Sequence, residues 1–312
     1  METGQQVKLV PSVSNSATNR TWTLGVDRNI NGTLTISDNA IFSLDNGFNV
    51  NTNATPTAVN MTGGQFQLLG GSTFTCNGTF NNTGGNFPLA ALDIFFPLAT
   101  SVYIHARDGG NAPLGTWGAS STFRVTGITD TPFSNSINNN YGIVEIYAPL
   151  ATSNFGFGNG VKSAASVNII NTGSGFFHFQ VNGSGTTHIS GNLTIGGSGQ
   201  VSGYNFGGSV FSTSEVFVGG VFVNNGVVDF GNVNTAGGNV PVTIQVTGNA
   251  TNTGILQRQF GTNTGQISME GGVTTTFTQS VTMRWLLISQ QVKYFWVLPT
   301  PTSQVYCLIK AY

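Results

Sequence analysis

The feature that most constrains this chain is a short run of alternating apolar and polar residues that recurs about every 8 to 10 residues. In the segment 32–37, Leu34 and Ile36 point to one side and the threonines between them to the other, with Asn-Gly before the run and Asp-Asn after it. The segments Ala40–Leu44 and Phe48–Asn51 repeat the arrangement. Such runs predict short strands joined by tight turns, and no segment has the 3.6-residue apolar period of a helix.

Strands at this spacing occur in sandwiches, barrels and solenoids, and internal repetition favours the solenoid. Related phrases recur at Asn31–Ile36, Asn77–Phe80, Gly191–Ile195 and Gly248–Gly254, and a second pair is Pro97–Ser101 and Pro149–Ser153. We therefore predict an all-β, right-handed parallel β-helix with roughly 20 to 25 residues per turn of the coil. Stacked turns would let asparagines form hydrogen-bonded ladders and glycines fill the tight turns.

The regular pattern changes along the chain, which suggests three sections. Residues 1–20 are expected to be an N-terminal cap or lead-in, and residues 21–272 the coil, with irregular loop insertions around 87–147. Residues 273–312 differ in composition, because no glycine follows Gly272 although the chain holds 43. This atypical C-terminal segment is expected to be either a set of capping strands that closes the coil or a tail that is not native to the protein.

Composition excludes several classes of function. Charged residues are only 7% of the chain, and the 10 Lys and Arg are spread singly, so no basic patch suits nucleic acid. Cys76 and Cys307 have no redox or metal-site spacing. The apolar stretch 284–298 is interrupted by Ser289–Gln291 and Lys293, so no membrane span is predicted. The amino end lacks a signal peptide, and we expect the sequence to be a mature form or a fragment.

Acidic residues are too scattered to predict an enzyme. Polysaccharide-cleaving β-helices need clustered carboxylates or a carboxylate-held Ca²⁺, whereas the 11 Asp and Glu here are dispersed. Asp27, Asp38 and Asp45 are expected at turns, where Asp binds its own backbone. We predict no catalytic residues, no cofactor and no metal site.

One cluster nevertheless has the composition of a sugar-binding site. On a strand, Tyr103, His105 and Arg107 share one face, and Asp108 begins a turn. With Trp117 in the same loop-rich section, they would offer aromatic and polar groups to a glycan. The alternative is a surface strand with a polar face.

The histidines farther along the chain give weaker signals. His178 and His188 have no third partner that would complete a metal site. The segment Phe176–Phe179 is expected to pack in the core.

Several phrases resemble the long secreted repeat proteins of Bacteroidota that leave the cell by the type IX secretion route. The phrases are Tyr141–Ile146, Asn168–Gly175, Ile189–Gly199 and Val221–Gly226, and the resemblance covers roughly residues 20 to 272. It implies a parallel β-helix that serves as an adhesin or surface fibre, and it brings no catalytic residues. The sorting domain expected at the carboxyl end of such proteins is not recognisable here, so we expect a fragment of a longer protein.

These observations together predict a non-catalytic, extracellular or cell-surface β-solenoid that acts as a stalk, adhesin or fibre subunit. Its expected partners are another copy, stacked end to end, or surface glycans. Two alternatives stay open. One is a glycan-binding or polysaccharide-degrading β-helix with its site on the 103–147 loops, and the other is a phage fibre.

Overall fold

Short strands account for all the regular secondary structure that is described. The structure is a computed structural model, and no helix occurs among the residues that it describes. These residues are 7–9, 20–24, 27–37, 40–44, 47, 49–52, 57–87, 93–132, 140–157, 162–179, 185–202, 214–229, 242–257, 265–269, 277–279 and 287–290. The chain forms two compact units, Met1–Ala148 and Pro149–Tyr312.

The first unit holds strands β1 to β15. They are β1 Val7–Leu9, β2 Arg20–Leu24, β3 Arg28–Ile30, β4 Leu34–Ile36, β5 Ala40–Leu44, β6 Asn49–Thr52, β7 Thr57–Met61, β8 Gln65–Leu68, β9 Thr73–Thr75, β10 Thr79–Asn82, β11 Asp93–Phe96, β12 Val102–His105, β13 Gly115–Trp117, β14 Thr122–Val125 and β15 Asn140–Tyr147.

Successive turns of the first unit stack their strands into three parallel sheets. One sheet runs β1-β4-β7-β10-β12-β14-β15. The second is β2-β5-β8 and the third β3-β6-β9-β11-β13. Every described pairing is parallel, which confirms the predicted solenoid. Parallel pairing persists through the loop-rich section, where β11 to β15 join the sheets formed by earlier turns.

We call one turn of the coil a rung. In the first unit Tyr103 pairs with Phe123, 20 positions along, and Leu34 with Val59, 25 positions along. The expected rung of about 20 to 25 residues therefore holds for most of this unit. It is longer at the start, where Val7 pairs with Leu34.

The core lies inside the coil and is rich in aromatic rings. Alternate residues of each strand point inward, as in β8, where Phe66 and Leu68 are buried and the alternating Gln65 and Gln67 are half-buried. Phe80, Tyr103 and Phe123 are register partners whose ring centroids lie 5.7 and 5.8 Å apart in turn. Each such buried ring stabilises the fold by about 1.5–3 kcal/mol.

The second unit holds strands β16 to β30. They are β16 Phe155–Gly156, β17 Lys162–Asn171, β18 Phe177–His178, β19 Gly185–Ile189, β20 Leu193–Ser198, β21 Gln200–Ser202, β22 Ser214–Val218, β23 Phe222–Asn224, β24 Val227–Asp229, β25 Val242–Val246, β26 Ala250–Asn252, β27 Ile255–Gln257, β28 Gly265–Met269, β29 Phe277–Gln279 and β30 Leu287–Gln290.

In this unit the long strand β17 pairs with both β19 and β20, and two parallel stacks continue from it. They run β19-β22-β25-β28-β30 and β20-β23-β26-β29. A further sheet runs β16-β18-β21-β24-β27. The described strands of the last 40 residues, β29 and β30, thus join the stacks of the second unit.

Rung length varies in the second unit, where Phe155 pairs with Phe177, 22 positions along, but Leu193 pairs with Phe222, 29 positions along. The extra length lies between β21 and β22 and between β24 and β25. The connecting segments, 203–213 and 230–241, are outside the described residues.

Candidate functional site

Tyr103 and His105 both point into the core from β12. Neither side chain has measurable exposure, whereas Val102 and Ile104 between them face outward and are half-buried. The usual pattern is reversed here, because the polar rings lie inside and the aliphatic side chains outside. Tyr103 and His105 therefore belong to the core of the coil.

A chain of hydrogen bonds joins these two rings to the neighbouring rung. His105 Nε2 lies 2.9 Å from the carbonyl oxygen of Gly109, and His105 Nδ1 lies 3.2 Å from Tyr103 Oη. A carbonyl can only accept, so Nε2 carries the proton and Nδ1 is an acceptor. Tyr103 Oη therefore donates to Nδ1. It accepts in turn from Asn82 Nδ2, at 3.2 Å, on the preceding rung.

The orientation of Asn82 fixes the direction of this chain. Its Oδ1 accepts from the backbone N–H groups of Gly84 and Gly85, at 3.2 and 2.8 Å. Its Nδ2 also donates to the carbonyl of Gly85 at 3.1 Å. The amide is fully buried, so each of these bonds compensates a group that has lost water.

Burial sets the protonation of both rings. Loss of solvent lowers the pKa of His105 to about 4, and the nearby Arg107 charge acts in the same direction, while Gly109 and Asp108 oppose it. Burial raises the pKa of Tyr103 above its usual range, against the hydrogen bond from Asn82 and the charge of Arg107. At neutral pH this is a chain of uncharged groups.

Arg107 and Asp108 follow β12 at the corner of the coil, which we define as residues 106–112. Arg107 Nη1 donates backwards to the carbonyls of Gly84 and Gly85 and to Asn86 Oδ1, at 3.2, 2.5 and 2.9 Å. Asp108 Oδ1 accepts from the backbone N–H groups of Thr129 and Thr131, at 2.7 and 3.1 Å, on the following rung. Both side chains are half-buried.

The hydrogen bonds to Asp108 favour its charged form. Partial burial opposes ionisation, but the donors of Thr129 and Thr131 and a side-chain contact with Asp130 outweigh it and hold the pKa of Asp108 below its usual range. The carboxylate is therefore ionised at every pH at which the protein is expected to work.

Trp117 packs in the same region on β13. Its ring stacks on Phe96 at 4.2 Å and meets Phe123 edge to face at 5.7 Å. The indole Nε1 is buried and has no hydrogen-bond partner among the described residues. The structure thus brings all five residues of the predicted glycan site into one part of the first unit. It uses them to tie rungs together, and ligand binding by them stays a prediction.

Sequence reasoning predicted asparagine ladders but missed the turn that recurs with them, in which a buried asparagine lies two residues before a glycine. Asn224 Oδ1 accepts from Gly226 N–H at 3.1 Å, and Asn224 Nδ2 donates to Asn252 Oδ1 on the next rung at 2.6 Å. Both asparagines are fully buried, so the predicted asparagine ladder exists here. Asn82 makes the same turn with Gly84. The recurring Asn-x-Gly in the sequence was the available signal.

The other residues of interest are separate from one another. His178 is buried between Phe177 and Phe179, which confirms core packing for this segment, whereas His188 is exposed and stacks on Phe217 at 4.7 Å. The part of the chain that is described holds no group of three or more potential metal ligands. Asp27 accepts from Asn49 N–H at 2.8 Å, and Asp38 and Asp45 lie outside the described residues.

Comparison with known proteins identifies no relative of this chain. No family model, curated protein or solved structure matches the chain. None of the described residues forms a helix long and apolar enough to cross a membrane. The geometry above is therefore what supports a functional conclusion.

Proposed function

We propose that the protein is a non-catalytic, extracellular β-solenoid that serves as a surface stalk, adhesin or fibre subunit. The observation that carries this proposal is how its polar side chains are used. Arg107, Asp108 and Asn224 each bond to a neighbouring rung. These bonds add side-chain ties to the backbone hydrogen bonds that hold the coil together.

An active site has a different arrangement, in which polar groups converge on a space that a substrate can enter. Tyr103 and His105 have the chemistry of such groups, but they are buried and bonded to each other. A surface stalk or fibre gains from these ties, because separating one rung from the next then breaks side-chain bonds as well as backbone bonds.

The extracellular location is supported by composition and by the resemblance to secreted repeat proteins. Most polar residues are Asn, Thr or Ser, and charged residues are only 7% of the chain. The partners that we propose are a second copy, stacked end to end, or glycans at a surface.

The test is a panel of soluble and insoluble polysaccharides, assayed with the full chain for released reducing ends and for binding. We expect no turnover, and any binding should survive Arg107→Met. Arg124→Met is a matched control, because Arg124 pairs with Glu145 at 2.6 Å on the outer side of the coil. Turnover, or binding that is lost only in Arg107→Met while the circular dichroism spectrum is unchanged, would favour the glycan-active alternative.

Sedimentation velocity separates the phage-fibre alternative, since such fibres are expected to be trimers. A monomer, or an open series of oligomers that grows with concentration, agrees with the proposal. A single stable trimer contradicts it.

A further inference from the structure

The hydrogen bonds around His105 suit only its neutral form, and this has a consequence for the corner 106–112. We propose that this corner is an acid-sensitive latch, in which protonation of His105 releases the corner from the neighbouring rungs while the rest of the coil stays folded. This inference concerns a conformational change and does not depend on the proposed function.

The directions of the hydrogen bonds are the first support. Nε2–H donates to the Gly109 carbonyl and Nδ1 accepts from Tyr103 Oη. A second proton on Nδ1 would make both ring nitrogens donors, so the Tyr103 hydroxyl proton would lose its acceptor inside the core. An unsatisfied buried polar group destabilises the folded state, and a buried cation destabilises it more.

The charged groups near the ring are the second support. Arg107 and Asp108 come from the corner itself, and Asp130 contacts Asp108 from the following rung. The strand neighbours that pair with His105 are Asn82 on β10 and Val125 on β14, and neither titrates. The positive charge of Arg107 disfavours an imidazolium, and the Asp108 carboxylate, which is bonded to Thr129 and Thr131, favours it less strongly.

The third support is that the corner can open without unravelling the sheets. Residues 106–112 lie outside any strand, between β12 and β13. Their described ties include the His105–Gly109 bond, the Arg107 and Asp108 bonds, and Gly109 N–H to the Thr131 carbonyl at 3.0 Å. In contrast, β12 is held on both sides by β10 and β14.

The sign of the pH dependence follows from the two states. In the closed corner the pKa of His105 is about 4, and in the open corner it returns to its ordinary value near 6.5. The open state therefore binds protons more readily, so the corner is most stable above pH 6.5 and opens more as the pH falls toward 4. The opening constant should rise about tenfold per pH unit in the middle of this window, and on the order of 50-fold between pH 7 and 4.5.

Hydrogen exchange measured by mass spectrometry on the full chain tests this inference, with rates corrected for the intrinsic effect of pH. We expect protection of the amides in 107–112 and of Thr131 to fall on the order of 50-fold between pH 7 and 4.5. Protection of the amides in β10 and β14 should not fall over the same pH range. Asp108 stays ionised in this window, because its pKa lies well below its usual range, and so it cannot cause the change.

The variant His105→Gln supplies an amide that can accept from Tyr103 and donate to Gly109 but cannot titrate. We expect the pH dependence to disappear in it and to persist in the control His188→Gln, which changes an exposed histidine. A wild-type corner whose protection does not change with pH would overturn the inference, as would a pH dependence retained in His105→Gln.

If His105→Gln does not fold, ¹⁵N imidazole spectra of the wild type decide the question. A His105 ring that stays neutral at pH 5.5 as the Nε2–H tautomer supports the latch. A ring that is already protonated at that pH, in a corner that remains protected, contradicts it.

Discussion

Arg107 and Asp108 are adjacent in sequence but tie the corner to opposite neighbours. The guanidinium binds the preceding rung at Gly84, Gly85 and Asn86, and the carboxylate binds the following rung at Thr129 and Thr131. Two consecutive side chains thereby connect three rungs.

Removing either tie should destabilise the first unit. We expect Arg107→Met and Asp108→Ala each to lower the free energy of unfolding by about 1–2 kcal/mol, because each removes hydrogen bonds to backbone groups of another rung. Urea denaturation followed by circular dichroism measures this. Arg124→Met, which breaks a partly exposed ion pair on the outer side of the coil, should cost no more than about 0.5 kcal/mol. Equal effects in all three variants would contradict the role of the corner.

The buried pair Asn224 and Asn252 gives a second prediction, for the second unit. Asn224→Ala should lower the free energy of unfolding by about 2 kcal/mol or more, since Asn252 Oδ1 and Gly226 N–H both lose a buried partner. The neighbouring Asn225 accepts a hydrogen bond from Thr253 at the exposed surface, so Asn225→Ala is the matched control, with an expected cost below about 0.5 kcal/mol. Thermal or urea unfolding of the wild type and the two variants measures these costs. Equal losses of unfolding free energy in the two variants would contradict a stabilising role for the buried ladder.

Because some glycines stack closely between rungs, the cost of replacing a glycine by alanine should depend strongly on its position. A Cβ added at Gly254 would lie 2.1 Å from the carbonyl oxygen of Gly226 on the preceding rung, and backbone cannot yield as a side chain can. Gly254→Ala should therefore cost about 1–3 kcal/mol. At Gly197 the nearest atom would be 3.9 Å away, so Gly197→Ala should be close to neutral. Urea denaturation gives the unfolding midpoints of the two variants, and equal midpoints would contradict the close stacking at Gly254.

Cys76 should be chemically inert in the folded protein. It is fully buried, its Sγ lies 3.2 Å from the Gly78 carbonyl, and burial raises its pKa to about 12. Because the thiolate is the reactive form, we expect a Cys307→Ser variant to react with Ellman's reagent at pH 8 at least about 100-fold more slowly when folded than in denaturant. Rapid reaction of the folded protein would place Cys76 at the surface instead.

The sequence predicted the class of fold because alternation and turn residues are local signals. Leu34 and Ile36 are buried as the alternation predicts. Stacking partners are harder to predict, because the repeats are degenerate and the rungs differ in length. Asn82 meets Tyr103 21 positions along, whereas Asn224 meets Asn252 28 positions along. No fixed period gives both pairs.

The candidate site was less predictable for a related reason. Alternation showed that Tyr103 and His105 share a face of the strand, but it did not show which face lies inside the coil. Hydrophobicity favours placing Val102 and Ile104 inside, whereas the structure places them outside. Arg107 lies beyond the end of β12, so the alternation along the strand does not determine the direction of its side chain. The Asn82 partner of Tyr103 and the partners of Arg107 and Asp108 come from other rungs, and the register between rungs determines them.

In-register stacking is the central claim, and pairs of engineered cysteines test it most directly. Glu215 pairs with Thr243, and Thr35 with Asn60, in parallel strands about 4.8 Å apart, within the range of a disulfide. In a Cys307→Ser background, Glu215→Cys with Thr243→Cys and Thr35→Cys with Asn60→Cys should oxidise readily. The offset pairs Glu215→Cys with Gln245→Cys and Thr35→Cys with Thr62→Cys should not. Offset pairs that cross-link as fast as the matched ones would contradict the stacking from which every tie described above follows.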